Sequence, residues 1–400
     1  MKYTFSLVFG LVLTLPVMAD DWKQFRGPGG RSVSSENKVP IIWSKTKNIG
    51  WKAKIPGRGL SNPIIAEGRV YVTSSSGWQQ NRLHVLCFDE KTGKQLWHRQ
   101  FWATGGTQSH PKTCMAAPTP VTDGKNVYAL FATQDLVALD RDGNLLWYRS
   151  LTQDYPTIGN NVGMASSPTL WKDVLLVSVE NVGESFAVGI DTKTGHNKWS
   201  VPRPRAINWA SPIVIEKAGK AQVIFMAPDD MTAYDPATGK EIWTYKKGGL
   251  SRIPSVTFAE GLLLCPGKEM HAIEPGTKKT KPSVAWQERK LQCGYASPLV
   301  HNGKIYTLTS RGVLRCADVL TGEEVWSKRL EGAFAATPVL AGNQLYVVNE
   351  EGTTYVIKTG SGPNLIGTNS VEDKIMATPA IANGAIYLRS DDYVYCIREK

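Results

Sequence analysis

The 400-residue chain lacks the sequence features that mark most catalytic classes. It contains no G-x-S-x-G nucleophile elbow, no H-E-x-x-H zinc helix, no C-x-x-C pair and no glycine-rich phosphate loop. Its six histidines are scattered without the spacing of metal ligands, so we expect no metal site. The sequence therefore predicts no catalytic residue.

Long apolar runs are also missing after residue 20, so we expect no transmembrane segment in the mature protein. At the start of the chain, Lys2, the apolar stretch 5–17 and the small-residue site Val17-Met18-Ala19 are typical of a secretory signal. Residues 1–19 are therefore predicted to be a cleavable signal peptide. No Cys follows the apolar stretch, so a lipid anchor is not expected, and the predicted location is periplasmic or secreted.

The formal net charge of +11 is not concentrated in one segment. No run of five Lys or Arg residues occurs, and the densest cluster is KKTK at 278–281, in a predicted hairpin turn. We interpret the charge as a dispersed, solvated surface. Secretion also argues against nucleic acid as a partner.

Cysteine is sparse, with six residues, although export permits disulfides. Cys87, Cys316 and Cys396 occupy one repeat position that takes small apolar residues in other units, which predicts buried thiols. Cys265 and Cys293 fall in predicted loops of adjacent units and could form a disulfide, whereas Cys114 would remain free.

What the chain does contain is a repeated phrase: FDEKTGKQLW at 88–97, IDTKTGHNKW at 190–199, YDPATGKEIW at 234–243 and ADVLTGEEVW at 317–326. A small or polar residue followed by Pro forms a second marker, which occurs as Asn62-Pro63, Ala117-Pro118, Ser167-Pro168, Ser211-Pro212, Ile253-Pro254, Ser297-Pro298, Thr337-Pro338 and Thr378-Pro379. The average period of about 45 residues is that of four-stranded propeller blades.

Each unit shows four short β-rich runs with alternating apolar residues, and helical periodicity is absent. The last unit ends at residue 400 without room for a fourth strand, while 48–57 resembles an outer strand that has no inner partners. We therefore predict an all-β, eight-bladed β-propeller of four-stranded antiparallel blades, closed by the N-terminal strand joining the last blade. The predicted domains are an arm over 20–47 and one propeller over 48–400, expected to be monomeric.

The repeated motif has a structural interpretation. Its Asp and Gly shape a tight turn between the third and fourth strands. Its Trp recurs at a fixed point of the outer strand and is predicted to dock one blade against the next. The predicted docking residues are Trp51, Trp97, Trp147, Trp199, Trp243, Trp286 and Trp326, whereas the seventh unit carries Ile366 at this place.

A binding site is expected on the loops that do not repeat. Loops from each outer strand to the next inner strand share one face with the loops between second and third strands, around the central channel. The candidate residues there are mixed basic, polar and aromatic: Arg58, His110, Lys112, Asn160, Asn161, Arg205, Trp209, Arg252, Tyr295, Asp391 and Asp392. Each has a structural alternative as a turn former, solvated loop residue or blade cap.

The A-x-D-x-x-T-G-x-x-x-W signature resembles the pyrroloquinoline-quinone (PQQ) repeat propellers, over 48–400. DWKQFRGPGGRS at 21–32 is similar to the opening of secreted bacterial members. The resemblance implies two branches. One is the BamB-like, non-enzymatic propellers of outer-membrane β-barrel assembly, and the other is the quinoprotein dehydrogenases, which hold PQQ and Ca²⁺ on the propeller axis.

The dehydrogenase branch carries a disulfide between adjacent cysteines, and this sequence has no Cys-Cys pair. The ligands of Ca²⁺ and the catalytic base cannot be matched by motif, so none is transferred. We therefore expect an exported, non-enzymatic scaffold without a cofactor that binds a protein or glycan partner in the cell envelope. The alternative is a PQQ- and Ca²⁺-dependent alcohol or sugar dehydrogenase.

Overall fold

The computed structural model describes residues 21–159 and 162–399, and the predicted signal peptide lies outside these ranges. Within them the fold is almost entirely β, as predicted. The helical segments in this part of the chain are one short α-helix, α1 (Leu151–Asp154), and three 3-10 turns, Pro28–Gly30, Trp78–Gln80 and Arg289–Leu291.

Two short strands precede the first complete blade, β1 (Val33–Ser34) and β2 (Ile49–Lys54). Blade 1 consists of β3 (Ile64–Ala66), β4 (Arg69–Ser76), β5 (Arg82–Asp89) and β6 (Gln95–Trp102). Blade 2 consists of β7 (Val121–Thr122), β8 (Asn126–Leu130), β9 (Asp135–Asp140) and β10 (Leu145–Ser150). Blade 3 consists of β11 (Thr169–Trp171), β12 (Val174–Val179), β13 (Phe186–Asp191) and β14 (Asn197–Pro202). Blade 4 consists of β15 (Ile213–Lys217), β16 (Lys220–Met226), β17 (Asp230–Tyr234) and β18 (Glu241–Lys246).

The second half repeats the arrangement. Blade 5 consists of β19 (Thr257–Ala259), β20 (Leu262–Cys265), β21 (Met270–Glu274) and β22 (Ser283–Glu288). Blade 6 consists of β23 (Leu299–His301), β24 (Lys304–Leu308), β25 (Val313–Asp318) and β26 (Glu324–Arg329). Blade 7 consists of β27 (Val339–Ala341), β28 (Gln344–Val348), β29 (Thr353–Lys358) and β30 (Asn364–Ser370). The three C-terminal strands of blade 8 are β31 (Ala380–Ala382), β32 (Ala385–Arg389) and β33 (Tyr393–Arg398).

The N-terminal strand β2 supplies the missing fourth strand of blade 8. It pairs antiparallel with β33, in a register that places Trp51 opposite Cys396 and Lys52 opposite Tyr395. The predicted closure of the ring is confirmed. Because chain start and chain end share one sheet, blade 8 is completed without leaving an unpaired outer edge on β33.

A closed ring of hydrogen bonds holds the eight inner strands together around the channel. At each blade, the backbone N–H of one residue donates to the side-chain oxygen of the equivalent residue in the next blade, over 2.8–3.0 Å. All eight ring residues are buried, so each bond satisfies a backbone donor where water is scarce. The ring residues, in order, are Asn62, Thr119, Ser167, Ser211, Ser255, Ser297, Thr337 and Thr378.

The ring corrects two of the sequence markers. In blade 2 the ring residue is Thr119, not Ala117, and in blade 5 it is Ser255, not Ile253. The repeat at this place is defined by a side-chain oxygen. Proline follows that residue in most blades, but Val256 follows it in blade 5.

The indole rings lie between neighbouring blades. Five of them stack on the turn of the following blade and donate the indole N–H to a backbone carbonyl there, over 2.8–3.0 Å: Trp51 to Glu90, Trp97 to Arg141, Trp147 to Thr192, Trp199 to Pro236 and Trp286 to Val319. Trp326 donates to Gly360 O over a longer distance of 3.3 Å. The turn glycine makes room for the ring. At Gly239, φ is +68° and an added Cβ would lie 2.7 Å from Trp199.

Two positions depart from this pattern for reasons visible in the fold. Trp243 faces a blade without the T-G turn, and its N–H donates to Gln222 Oε1 at 2.8 Å, while Gln222 Nε2 donates to Gly276 O at 3.0 Å. Ile366 stands in blade 7, whose neighbour has no turn because β2 arrives from the other end of the chain. There the N-terminal arm packs instead, and the backbone N–H of Trp43 donates to Asn369 Oδ1 at 2.8 Å.

The hydrophobic cores lie between adjacent blades, and the cysteines pack in these cores. Cys87, Cys316 and Cys396 are buried free thiols, as predicted. The suggested disulfide between Cys265 and Cys293 is wrong, since both are free thiols. Cys265 ends β20 and contacts the core between blades 4 and 5, whereas Cys293 contacts the core between blades 5 and 6.

We expect Trp199→Ala to lower the free energy of unfolding by about 3–5 kcal/mol, because it removes a buried ring and leaves a cavity at the seam between blades 3 and 4. Urea denaturation followed by far-UV circular dichroism measures the change. Trp102→Ala is the matched control, because Trp102 is 59% exposed on an outer strand. A loss at Trp199 no larger than at Trp102 would contradict the docking role.

Candidate functional site

The N-terminal arm closes one end of the central channel. Trp22 exchanges two backbone hydrogen bonds with Ile65 of blade 1, both 2.9 Å long. Further along, β1 pairs in parallel with β27 of blade 7, with Val33 opposite Leu340. The arm therefore crosses the channel near the ends of the inner strands that lead into the first hairpin turns. We call this side of the ring the turn face and the opposite side the loop face.

Arg26 anchors the arm inside the ring. Its guanidinium is buried and donates to Val256 O and Pro298 O, both at 3.0 Å, and to Thr257 Oγ1. Ser32 Oγ accepts a further bond at 3.3 Å, so the acceptors are two carbonyls and two hydroxyls, all uncharged, and burial lowers the pKa of Arg26 to about 9. A buried cation held by carbonyl dipoles ties the arm to blades 5 and 6.

Above the arm, the channel holds a narrow cavity that is apolar near the loop face. Phe25 of the arm and the ring residues line its lower part, of about 160 Å³. Its upper part, of about 300 Å³, has an apolar wall. The residues two positions before each ring residue form this wall: Leu60, Ala117, Ala165, Trp209, Ile253, Tyr295, Ala335 and Met376. We call the whole space the channel cavity.

The loop 103–117 covers the other end of the channel. Lys112 lies at the cavity and its Nζ donates to both carboxylate oxygens of Glu350 in blade 7, at 2.8 and 3.0 Å. The bond to Glu350 raises the pKa of Lys112. The ammonium also lies 5.5 Å from the ring centroid of Tyr295. This contact, the Lys112–Glu350 latch, spans the mouth.

Arg58 fixes the same loop from blade 1. Its guanidinium donates to Thr113 O at 3.0 Å and Pro111 O at 2.9 Å, and pairs with Asp391 of blade 8 at 3.2 Å. Beneath it, Cys114 is fully buried, and burial raises the pKa of its thiol to about 11. Arg58 is thus engaged by its own chain, and Cys114 is a packed thiol rather than a reactive one.

The candidate residues divide into two groups. The structure brings six of them to the channel mouth: Arg58, His110, Lys112, Trp209, Tyr295 and Asp391. The indole N–H of Trp209 donates to Gly163 O at 2.6 Å, and His110 Nδ1 accepts from the backbone N–H of Lys112 at 3.1 Å. Exposed positions away from the channel cavity are occupied by Arg205, Arg252 and Asp392. Asn160 and Asn161 lie outside the described residues.

Three participants were not predicted. Phe25 and Arg26 belong to the opening motif at 21–32, which resembled a family signature but carried no assigned contact. The available signal in the sequence was a Phe-Arg pair followed by several glycines. Glu350 belongs to an ordinary turn in blade 7, and nothing in its local sequence marks it as the partner of Lys112.

The channel cavity does not offer the donors that Ca²⁺ requires. Calcium takes six to eight oxygen ligands, usually with several carboxylates. No Asp or Glu is among the described residues that line the cavity. At the mouth, Glu350 is paired with Lys112 and Asp391 with Arg58. Across the described ranges, no group of three or more His, Cys, Asp or Glu is placed to hold a metal. The residues present therefore do not fit a Ca²⁺–PQQ centre.

These features define an eight-bladed β-propeller of PQQ-like repeats whose axial channel is covered at its two ends by the arm and by the loop 103–117. The chain belongs to the family whose model is described as outer membrane protein assembly factor BamB, which matches residues 26–200, 163–256, 266–365 and 311–399. Within the described residues, no helix is long and apolar enough to cross a membrane.

Solved structures of both branches share the fold. BamB from Moraxella catarrhalis matches with a TM-score of 0.62 and 15% identity, over 91% of this chain and 98% of that chain. The quinohemoprotein alcohol dehydrogenase from Comamonas testosteroni matches with a TM-score of 0.71 and 13% identity, over 95% and 81%. A europium-containing methanol dehydrogenase matches with a TM-score of 0.70 and 12% identity, over 93% and 90%. Among curated protein sequences, none matches significantly. At these identities the likeness concerns the fold.

We expect Arg58→Ala to loosen the loop 103–117, because it removes two charge-assisted bonds to loop carbonyls. Amide hydrogen exchange in that loop should accelerate at least about tenfold, as measured by mass spectrometry of its peptides. Arg205→Ala, which removes an exposed guanidinium elsewhere, should leave the exchange unchanged. Equal exchange in the wild type and the Arg58 variant would show that Arg58 does not hold the loop.

Proposed function

We propose that this protein is an exported, non-enzymatic scaffold that binds a protein or glycan partner in the cell envelope through its loop face. The observation that carries the proposal is that the chain itself covers both ends of the central channel. The arm closes the axis from the turn face, and the loop 103–117 with the Lys112–Glu350 latch covers it from the loop face. Because only the small channel cavity remains on the axis, the surface available to a partner is the rim of the loop face.

The chemistry of that rim supports a binding role. Arg205 and Arg252 are exposed in blades 4 and 5 and leave two cations free to meet an acidic patch. In blade 1, Trp78 is 79% exposed, which is unusual for a large apolar ring. Loops carried by a rigid ring of blades are a common setting for recognition. The family description, an outer membrane protein assembly factor, agrees with a partner-binding role.

We expect the double charge reversal Arg205→Glu with Arg252→Glu to lower partner recovery at least about tenfold, because it replaces two rim cations with anions. The measurement is affinity capture from envelope extract with the immobilised mature protein, followed by quantitative mass spectrometry. Lys193→Glu with Lys220→Glu is the control, since both lysines are exposed in hairpin turns of the turn face. Equal recovery by the two double variants would contradict this placement of the interface.

The dehydrogenase alternative is tested by calorimetric titration with PQQ plus Ca²⁺, followed by dye-linked assays on alcohols and sugars. We expect neither binding nor turnover, because the channel cavity has no carboxylate among its described lining residues and is narrowed by Phe25 and Lys112. A quinoprotein dehydrogenase assayed in parallel verifies the reagents. Stoichiometric binding with turnover would replace the scaffold proposal by the enzymatic one.

A further inference from the structure

A second concavity lies on the loop face, away from the channel axis. It encloses about 930 Å³ among the loops of blades 1, 2 and 3, within the range of about 300–1,000 Å³ typical of ligand sites. Its described lining is neutral throughout, with no Asp, Glu, Lys, Arg or His. We call it the neutral cleft. Amide and hydroxyl side chains dominate it: Gln79, Gln80, Thr107, Gln108, Thr133 and Gln134.

One lining amide has an oxygen without a hydrogen-bond partner. Gln134 is 1% exposed, and its Oε1 accepts no bond from any described residue. Its Nε2 makes one long contact of 3.5 Å with Phe131 O. Buried polar atoms are nearly always satisfied, and this acceptor lies just behind the wall of the cleft, so a small rotation of the Gln134 side chain would present it to a donor that enters the cleft. A ligand hydroxyl is such a donor.

An acidic side chain beside the neutral cleft is fully hydrogen-bonded within the protein. Asp135, adjacent to Gln134, is fully buried. Its carboxylate accepts from Thr133 Oγ1 and Tyr148 OH, both at 2.6 Å, and from the backbone N–H of Thr104 at 3.0 Å. The carboxylate is thus committed to the protein, and Thr133 is held in place as part of the wall. Such support fixes the lining before any ligand arrives.

An exposed indole directly precedes two lining residues of the same cleft in the chain. Trp78 begins the 3-10 turn Trp78–Gln80, and the next two residues line the cleft. Gln79 Oε1 accepts from Thr107 Oγ1 at 3.3 Å, and Gln80 Oε1 accepts from Met115 N–H at 3.1 Å. Both glutamines have positive φ, of +50° and +62°. The turn is therefore strained and tied to the loop 103–117, yet it leaves Trp78 79% exposed.

We propose that the neutral cleft and Trp78 bind a neutral oligosaccharide. This inference rests on the proposed binding role and names the class of one partner. Sugar hydroxyls both donate and accept, which matches amides that carry a donor and an acceptor on one group. The apolar face of a pyranose ring stacks on an indole, which stays rigid and amphipathic when exposed. An acidic glycan or nucleic acid would require cations, and the cleft lining has none.

The test is isothermal titration calorimetry of the mature protein with cellohexaose, maltohexaose and N-acetylchitohexaose, and with a heparin hexasaccharide as the acidic probe. We expect at least one neutral hexasaccharide to bind and the heparin probe not to bind. Trp78→Ala should weaken binding at least tenfold, and since the ring is exposed the variant should fold. Gln134→Met, which keeps the volume but removes the orphaned amide, should weaken it at least threefold. Leu320→Ala, at a residue 63% exposed on the turn face, is the matched control and should bind like the wild type.

Four results would overturn the inference. They are failure of all neutral hexasaccharides to bind the wild type, binding of the heparin probe alone, wild-type affinity in both Trp78→Ala and Gln134→Met, or Trp78-dependent capture of an envelope protein without saccharide binding. The last result assigns the cleft to a protein. Failure of saccharide binding with retained Arg205- and Arg252-dependent recovery removes only this assignment, whereas loss of both removes the scaffold proposal as well.

Discussion

The ring of eight side-chain-to-backbone hydrogen bonds is the constraint on which the rest of the molecule depends. Each inner strand is tied to the next through an oxygen two residues below the channel wall, so every blade takes its angle from its neighbours. The last bond, from the N–H of Thr378 to Asn62 Oδ1, returns to the first blade. Because the ring fixes where the inner strands lie, it also fixes the wall of Leu60 and its equivalents, and hence the size of the channel cavity.

Most of the fold was predictable because the repeats impose one geometry many times. The turn phrase predicted the hairpin, and its Trp predicted the docking contact, since a large ring at a constant place in every outer strand needs a constant receptor. The exceptions follow local rules that a single unit cannot reveal. Gln222 bridges Trp243 to blade 5, which lacks the T-G turn. Ile366 faces blade 8, which has no turn before its outer strand because β2 comes from the N-terminal part of the chain. The Pro marker identified the wrong residue in blades 2 and 5, because it was aligned on a proline and not on the side-chain oxygen that forms the ring.

The candidate site was only partly predictable, because contacts between distant loops leave little local signal. Membership of the loop face was enough to bring Lys112, Trp209 and Tyr295 to the channel mouth. It did not reveal that Arg58 serves as a clamp or that Glu350 completes a latch, because both roles depend on partners in other blades. The neutral cleft was missed entirely, since Gln134 matters through an unsatisfied atom and not through its position in a motif.

The arm has a consequence for the order of assembly. Residues 22–34 precede every complete blade in the chain, yet their partners are spread from Ile65 to Leu340. Contacts across such separations form late, after the entropy of closing long loops has been met. The segment synthesised ahead of the blades is therefore among the last to pack. Arg26 can be desolvated only after blades 5 and 6 have folded, because they supply its carbonyl acceptors. Because Val256 O and Pro298 O come from neighbouring blades, burial of Arg26 ties the position of the arm to the correct pairing of blades 5 and 6.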